Sequence, residues 1–116
     1  MRENFSKNIQ SILKYAKEEA VRFGHSYVGS EHLLLGILTD ENCQAARLLN
    51  TLGCDFEEMR QMIRDMIKPS TGSMTMGHLP LTRRAERILR TTYSEAKKLG
   101  FDVANDTHLL LAISKE

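Results

Sequence analysis

Apolar residues recur every three or four positions along most of this chain, which predicts a fold made of amphipathic α-helices. The first run starts after Ser6 and stops at Gly24, and the second is the short string EHLLLGILT after Ser30. We expect Ser6 and Ser30 to be N-caps, since a serine hydroxyl accepts a hydrogen bond from a free amide of the first helical turn. Gly24 is expected to end the first helix because glycine adopts the left-handed conformation without strain.

Two more helices are predicted before residue 69. The third is expected to start at Asn42 and to end at Gly53, and the fourth to start at Asp55, which has capping-box spacing with Glu58. Pro69 ends the fourth helix, because proline disfavours a helical residue before it. The stripes expected to face the core are Ala45, Ala46, Leu48, Leu49 and Leu52 in the third helix and Phe56, Met59, Met62, Ile63, Met66 and Ile67 in the fourth.

Residues 69–80, PSTGSMTMGHLP, are predicted to be a linker because they combine two prolines and two glycines with no helical period. A fifth helix follows, with Thr82 as N-cap and Gly100 as its stop. A sixth follows the loop FDVAN, with Asp106 as the expected N-cap. The inner face of the fifth helix is expected to consist of Ala85, Ile88, Leu89, Thr92, Ala96 and Leu99.

The last part of the chain repeats the first. Without a gap, Gly24 matches Gly100, the string HLLL at 32–35 matches 108–111, and about ten of some 34 positions are identical. This self-similarity predicts an all-α, pseudo-twofold duplicated repeat, whose second copy has counterparts of only the first two helices. Such a truncated second repeat is expected to leave an apolar face uncovered, which suggests self-association as a hypothesis.

Composition excludes several classes of protein. Sixteen Lys and Arg face fifteen Asp and Glu, so the chain lacks the basic surface that nucleic-acid binding requires. No apolar run approaches the length that spans a bilayer. Cys43 and Cys54 are too few for a disulfide framework, and we expect them to be buried free thiols of a cytoplasmic protein.

The histidines are the only residues that suggest catalysis or metal binding. His32 and His108 occupy matching places in the two repeats, but neither has a second ligand at helical spacing. We therefore expect both to be structural histidines, hydrogen-bonded inside the repeat core. His25 lies in a predicted loop, and no role is assigned to it.

The strings YVGSEHLLLGIL and LTRRAERIL, with the glycine after each long helix, resemble the Clp N-terminal repeat domain, most closely that of ClpC-type AAA+ unfoldases. The resemblance implies one non-catalytic domain over 1–116, with repeat one at 5–68, the linker at 69–80 and partial repeat two at 81–116. It also implies adaptor proteins and protein substrates as partners, and delivery to a ClpP-type peptidase. No cofactor is expected in this part, since ATP would bind modules that the sequence does not contain.

The same resemblance implies a site for phosphorylated arginine at the helix starts of each repeat. The first would pair Ser6 with Glu31, and the second Thr82 with Thr107. A helix start can bind the phosphate, and a carboxylate can accept hydrogen bonds from the guanidinium. Thr107 stands where the pattern has Glu, so we expect at most one complete site. The same residues also suit ordinary helix capping.

Three functions remain open from the sequence. The first is adaptor and substrate docking for a ClpC-like unfoldase, and the second is a dedicated receptor for phosphoarginine marks. The third is a free-standing enzyme or metal protein that uses the histidines, although no triad or ligand set has the required spacing.

Overall fold

Six α-helices make up the computed structural model, which describes residues 5–40, 43–67 and 79–116. The helices are α1 Lys7–Arg22, α2 Ser30–Thr39, α3 Gln44–Thr51, α4 Phe56–Met66, α5 Arg83–Lys98 and α6 Asp106–Ser114. The described residues form no strand, and their β-type pairing consists of two isolated bridges. The all-α fold predicted from the sequence is confirmed.

Both long helices begin and end as expected. Ser6 and Thr82 are N-caps, and their hydroxyls accept from the amides of Ile9 and Ala85 at 3.3 and 3.1 Å. Gly24 and Gly100 follow the two helices with φ angles of 71° and 86°. These left-handed residues turn the chain sharply away from each helix end.

Three other N-caps differ from the sequence prediction. Ser30 is the first residue of α2, and Gly29 precedes it as N-cap. Asn105, not Asp106, caps α6. The expected cap of α3, Asn42, lies outside the described residues, and Cys43 occupies the N-cap position, with its sulfur 3.4 Å from the amide nitrogen of Ala46.

Asp106 is not available as a cap because its carboxylate points into the core and joins three helices. The side chain is fully buried, with Oδ1 accepting from the Asn8 amide group at 3.2 Å and Oδ2 from the backbone N–H of Ala45 at 2.6 Å. Asp106 of α6 therefore fixes the first turn of α3 and the side of α1.

The core lies between the helix pairs α1/α2 and α5/α6. Its largest side chains are fully or almost fully buried, and they come from both repeats: Ile9, Ile12, Leu33, Ile37, Ile88, Leu89 and Leu109. Parallel bridges join Phe5 to Ala104 and Val28 to Leu81. Each bridge thus connects one repeat to the other, as a pseudo-twofold arrangement requires.

The predicted inward stripes of α3 and α4 are partly wrong. Ala45 and Ala46 are buried, but Leu48, Leu52, Met62 and Met66 are 45%, 70%, 58% and 80% exposed. The reason is that α3 packs on α6 and α2, and α4 on α2, each along one side, while no other described element covers their outer sides. Leu99, at the end of α5, is also exposed.

The two cysteines are free, but only Cys43 is buried, because Cys54 is partly exposed. Burial raises the pKa of the Cys43 thiol to about 11, which keeps it protonated and unreactive at neutral pH. None of the described helices combines the length and the apolar character needed to cross a bilayer.

Residues 68–78, which include most of the predicted linker, lie outside the described residues. The last two linker residues pack against the domain: Leu79 is buried, and the carbonyl oxygen of Pro80 accepts from the Val28 amide at 2.8 Å. The division into 5–68, 69–80 and 81–116 stays a prediction.

Replacing Asp106 by alanine should lower the free energy of unfolding by about 1–3 kcal/mol, because the buried amide of Ala45 would lose its acceptor. Urea denaturation measures this change. The matched control is Asp102→Ala, at a side chain that is 96% exposed, which should change stability by less than about 0.5 kcal/mol. Equal effects of the two substitutions would contradict the assigned role of Asp106.

Candidate docking site at the helix starts

Each long helix starts beside the short helix of the other repeat. The amide of Ser6 donates to the carbonyl oxygen of Ala104 at 2.8 Å, and the amide of Thr82 donates to that of Val28 at 2.9 Å. Ser6 therefore adjoins the segment that leads to Thr107, and Thr82 the segment that leads to Glu31. These backbone bonds join the helix starts across the repeats, whereas the sequence paired Ser6 with Glu31 and Thr82 with Thr107 within each repeat. Whether any of these residues bind a ligand stays a prediction.

Glu31 stands at an open helix start. No side chain caps α2, because its N-cap is Gly29. The Glu31 side chain, 42% exposed, bends back over this glycine, so that a Cβ atom on Gly29 would lie only 2.0 Å from Glu31 Oε1. The absence of a side chain at position 29 thus makes room for an exposed carboxylate beside the first turn of α2. We call Glu31, Gly29 and Thr82 the Glu31–Thr82 site.

The start of α6 is closed at the corresponding place. Asn105 Oδ1 accepts from the amides of Thr107 and His108 at 2.9 and 3.3 Å, and the Thr107 hydroxyl donates to the same oxygen. The Asn105 side chain therefore occupies the place that the Glu31 carboxylate takes above Gly29, and no carboxylate stands at position 107. The two helix starts have the same backbone arrangement but different binding chemistry.

The structural role predicted for the histidines in the short helices is confirmed. His32 Nδ1 accepts from the amide of Gly29 at 2.8 Å, and His108 Nδ1 from the amide of Asn105 at 3.0 Å. Within the described ranges, no group of three or more His, Cys, Asp and Glu side chains is arranged to hold a metal ion. Each histidine instead fixes the N-cap residue of its own helix.

Sequence reasoning missed His25. Its ring is buried, stacks on Phe23 and Tyr27, and places Nδ1 2.9 Å from Nε2 of His32. Burial lowers the pKa of His32, although the nearby carboxylate of Glu31 acts in the opposite direction. The available signal was the repeat register, since His25 corresponds to Phe101 and therefore to a position that favours an aromatic ring.

The family comparison agrees with this fold and with the sequence strings. The family model described as the Clp repeat (R) N-terminal domain matches residues 4–116. This chain belongs to that family. A curated relative, the chloroplastic chaperone protein ClpC1 of Oryza sativa subsp. japonica, is 33% identical over all 116 residues, which are 12% of that relative's length. A second, the chloroplastic ClpC of Pisum sativum, gives the same identity and coverage.

Solved structures support the fold of this Clp repeat domain. The N-domain of ClpV from Vibrio cholerae has a TM-score of 0.82 at 15% identity and matches 94% of this chain and 65% of that one. The N-terminal domain of ClpD from Arabidopsis thaliana has a TM-score of 0.76 at 12% identity, over 95% and 75% of the two chains. At these identities the likeness establishes the shared helical architecture alone.

Replacing Gly29 by Asn, the residue of repeat two, should leave stability unchanged or raise it by a few tenths of a kcal/mol. Asparagine can cap α2 as Asn105 caps α6, and the Glu31 side chain that it displaces can turn into solvent. Thermal unfolding measures the change. A loss above about 1 kcal/mol would show that Gly29 is required by the backbone rather than by the position of Glu31.

Proposed function

We propose that this Clp repeat domain docks adaptor proteins and protein substrates for a ClpC-type AAA+ unfoldase. The chain spans 12–14% of the length of curated relatives that are ClpC or ClpA-type proteins by name. We propose further that ATP binds modules outside this sequence, that the unfoldase feeds a ClpP-type peptidase, and that the protein works in the cytoplasm. The domain itself contributes binding.

The observation that carries this proposal is the exposed carboxylate of Glu31 beside a helix start that no side chain caps. Glu31 can accept hydrogen bonds from a cationic group, and a guanidinium offers two parallel donors. The first turn of α5, which begins after Thr82, favours an anion because its free amides and helix dipole point outward. One site could thus contact groups of both charges on a partner.

Thr82 has a supporting role in this proposal. Its hydroxyl oxygen accepts from the amide of Ala85, and its backbone amide is bonded to Val28. The hydroxyl proton remains available to donate to a ligand oxygen. Ser6 has the same local arrangement but adjoins Thr107, which provides no charge. We therefore propose one complete site, formed by Glu31 and Thr82, rather than two.

The second candidate function, a dedicated phosphoarginine receptor, uses the same site. Phosphoarginine carries a phosphate on its guanidinium group and so presents the two chemistries described above. The distinction lies in the breadth of recognition: a dedicated receptor binds the modified residue alone with useful affinity, whereas a general docking domain also needs the surrounding protein surface. Calorimetry with free phosphoarginine separates them.

In that titration, Glu31→Gln should lower the affinity at least about tenfold, because a hydrogen bond to a charged group contributes about 1.5–3 kcal/mol. The control is Glu58→Gln, which removes an equivalent exposed charge from the first turn of α4. Binding that is equal in both variants would place the ligand elsewhere.

The absence of heat with the wild-type chain would end the phosphoarginine function and leave adaptor docking to a second test. In this test the immobilised chain and the same two variants are compared as baits in native cytosol by quantitative mass spectrometry. Partners that Glu58→Gln retains and Glu31→Gln loses would support docking at the site. An identical set of partners on all three baits would contradict it.

Self-association is a further proposal, and it rests on the apolar groove between α3 and α6. The groove has a volume of about 350 Å³ and is lined by Leu48, Leu49, Leu52, Thr107, Leu110, Leu111 and Ser114. Leu111 is 37% exposed, whereas its counterpart in repeat one, Leu35, is fully buried. A second copy that covered this groove would bury the exposed leucines of both chains.

Replacing Leu52 by Glu should abolish concentration-dependent association without lowering stability, because this side chain is already 70% exposed. Sedimentation velocity over a hundredfold concentration range measures the association. Leu99→Glu is the control, since Leu99 is also exposed but does not line the groove. A wild-type chain that stays monomeric at the highest concentration would end this proposal.

A further inference from the structure

A chain of two hydrogen bonds between buried groups holds the start of α2. The amide of Gly29 donates to His32 Nδ1 at 2.8 Å, and His32 Nε2 lies 2.9 Å from His25 Nδ1. His32 is 0% exposed and His25 is 5% exposed. The helix start that carries Glu31 is therefore anchored from inside the domain by two imidazole rings in series.

The donors and acceptors in this chain follow from its chemistry. His32 Nδ1 accepts the Gly29 proton, so a neutral His32 must carry its own proton on Nε2. That proton then points at His25 Nδ1, which must accept it. Each histidine therefore has one unprotonated ring nitrogen, Nδ1, and both of these nitrogens already accept a hydrogen bond.

Neither ring can take up another proton without breaking a bond. A proton on His32 Nδ1 would face the Gly29 N–H across 2.8 Å, and one on His25 Nδ1 would face the Nε2–H of His32 across 2.9 Å. Two donors at such distances repel each other, and burial adds the cost of desolvating an imidazolium.

Among the described residues, the groups that face His32 do not remove this constraint. Glu31 Oε1 lies 3.8 Å from His32 Nδ1, and Glu19 of α1 faces the same ring but is already paired with Arg22 and Arg64. Tyr27 packs against both rings and Phe23 stacks on His25. The net effect of this environment is a lowered pKa for His32, because desolvation exceeds the attraction of the two carboxylates.

We propose that His25 is a positioning residue: together with His32 it holds Gly29, and with it Glu31, only while both rings are neutral, so that acid releases the start of α2. The connection to docking rests on the proposed function of Glu31, whereas the release itself does not. The closed state excludes protons that the open state binds. Opening therefore becomes more favourable as the pH falls below the ordinary histidine pKa of about 6.5.

Repeat two provides the comparison. Phe101 occupies the position of His25, with its ring 4.9 Å from that of His108. The substitution His25→Phe therefore introduces a ring that this fold already accepts beside a histidine. In this variant, only His32 should have to stay neutral for the start of α2 to remain closed.

Hydrogen exchange of the Gly29 amide, followed by NMR on the ligand-free chain at pH 7.5 and 5.5, tests the inference. An open state in which both histidines titrate near 6.5 predicts that the protection factor falls about tenfold for each histidine, or about a hundredfold in total. The His25→Phe variant should lose only about tenfold. The Ser6 amide, bonded to the carbonyl oxygen of Ala104 at the start of α1, is the reference and should change less than about twofold.

If the His25→Phe variant does not fold, NMR spectra of the imidazole nitrogens in the wild type still test the inference. At pH 6.0, the His32 proton should lie on Nε2, and His25 Nδ1 should accept from it. A protection factor at Gly29 that changes less than about threefold in the wild type, or a proton on His25 Nδ1 while the Gly29 amide stays protected, would overturn the inference. Because no ligand is used, failed phosphoarginine or adaptor binding would remove the proposed function and leave this result standing.

Discussion

Backbone hydrogen bonds that cross between the repeats fix where each long helix starts. Ser6 to Ala104 and Thr82 to Val28 join the start of each long helix to the loop before the opposite short helix. Because each junction contains a helix start from both repeats, any binding site there must be composite. The junctions are also part of the core, since Val28 and Ala104 are fully buried in it and Phe5 and Leu81 pack against it. The contacts between the repeats therefore fix both the packing of the core and the position of any binding site at the helix starts.

Features that depend on neighbouring residues could be predicted from the sequence. The helix periods, the caps at Ser6 and Thr82 and the stops at Gly24 and Gly100 are local, and the repeat register is a direct comparison of strings. Features that depend on tertiary contacts were missed or wrong. Asp106 looked like a cap, but its carboxylate is bonded to α1 and α3, and no local pattern shows that the junctions cross between repeats.

The two repeats have diverged at the junctions while keeping the same backbone. In repeat two, Asn105 closes the helix start, Asp106 anchors α3 and Phe101 packs on His108. At the matching positions, repeat one has Gly29, Ser30 and His25, none of which provides a side-chain cap for α2. Repeat two thus uses its junction to hold helices together, and repeat one leaves its junction open around an exposed carboxylate.

The divergence costs repeat one the side-chain cap of its short helix. The open site therefore lies at the helix start that has fewer hydrogen bonds. Without a side-chain cap, the start of α2 depends on the bond from the Gly29 amide to His32, and that bond requires a neutral ring. The α6 start has the same bond and two further bonds to the Asn105 side chain. An asparagine at position 29 would add those bonds but would displace the Glu31 carboxylate from the helix start. Capping and an accessible carboxylate therefore exclude each other at this position, and one domain can have both only because its two repeats differ.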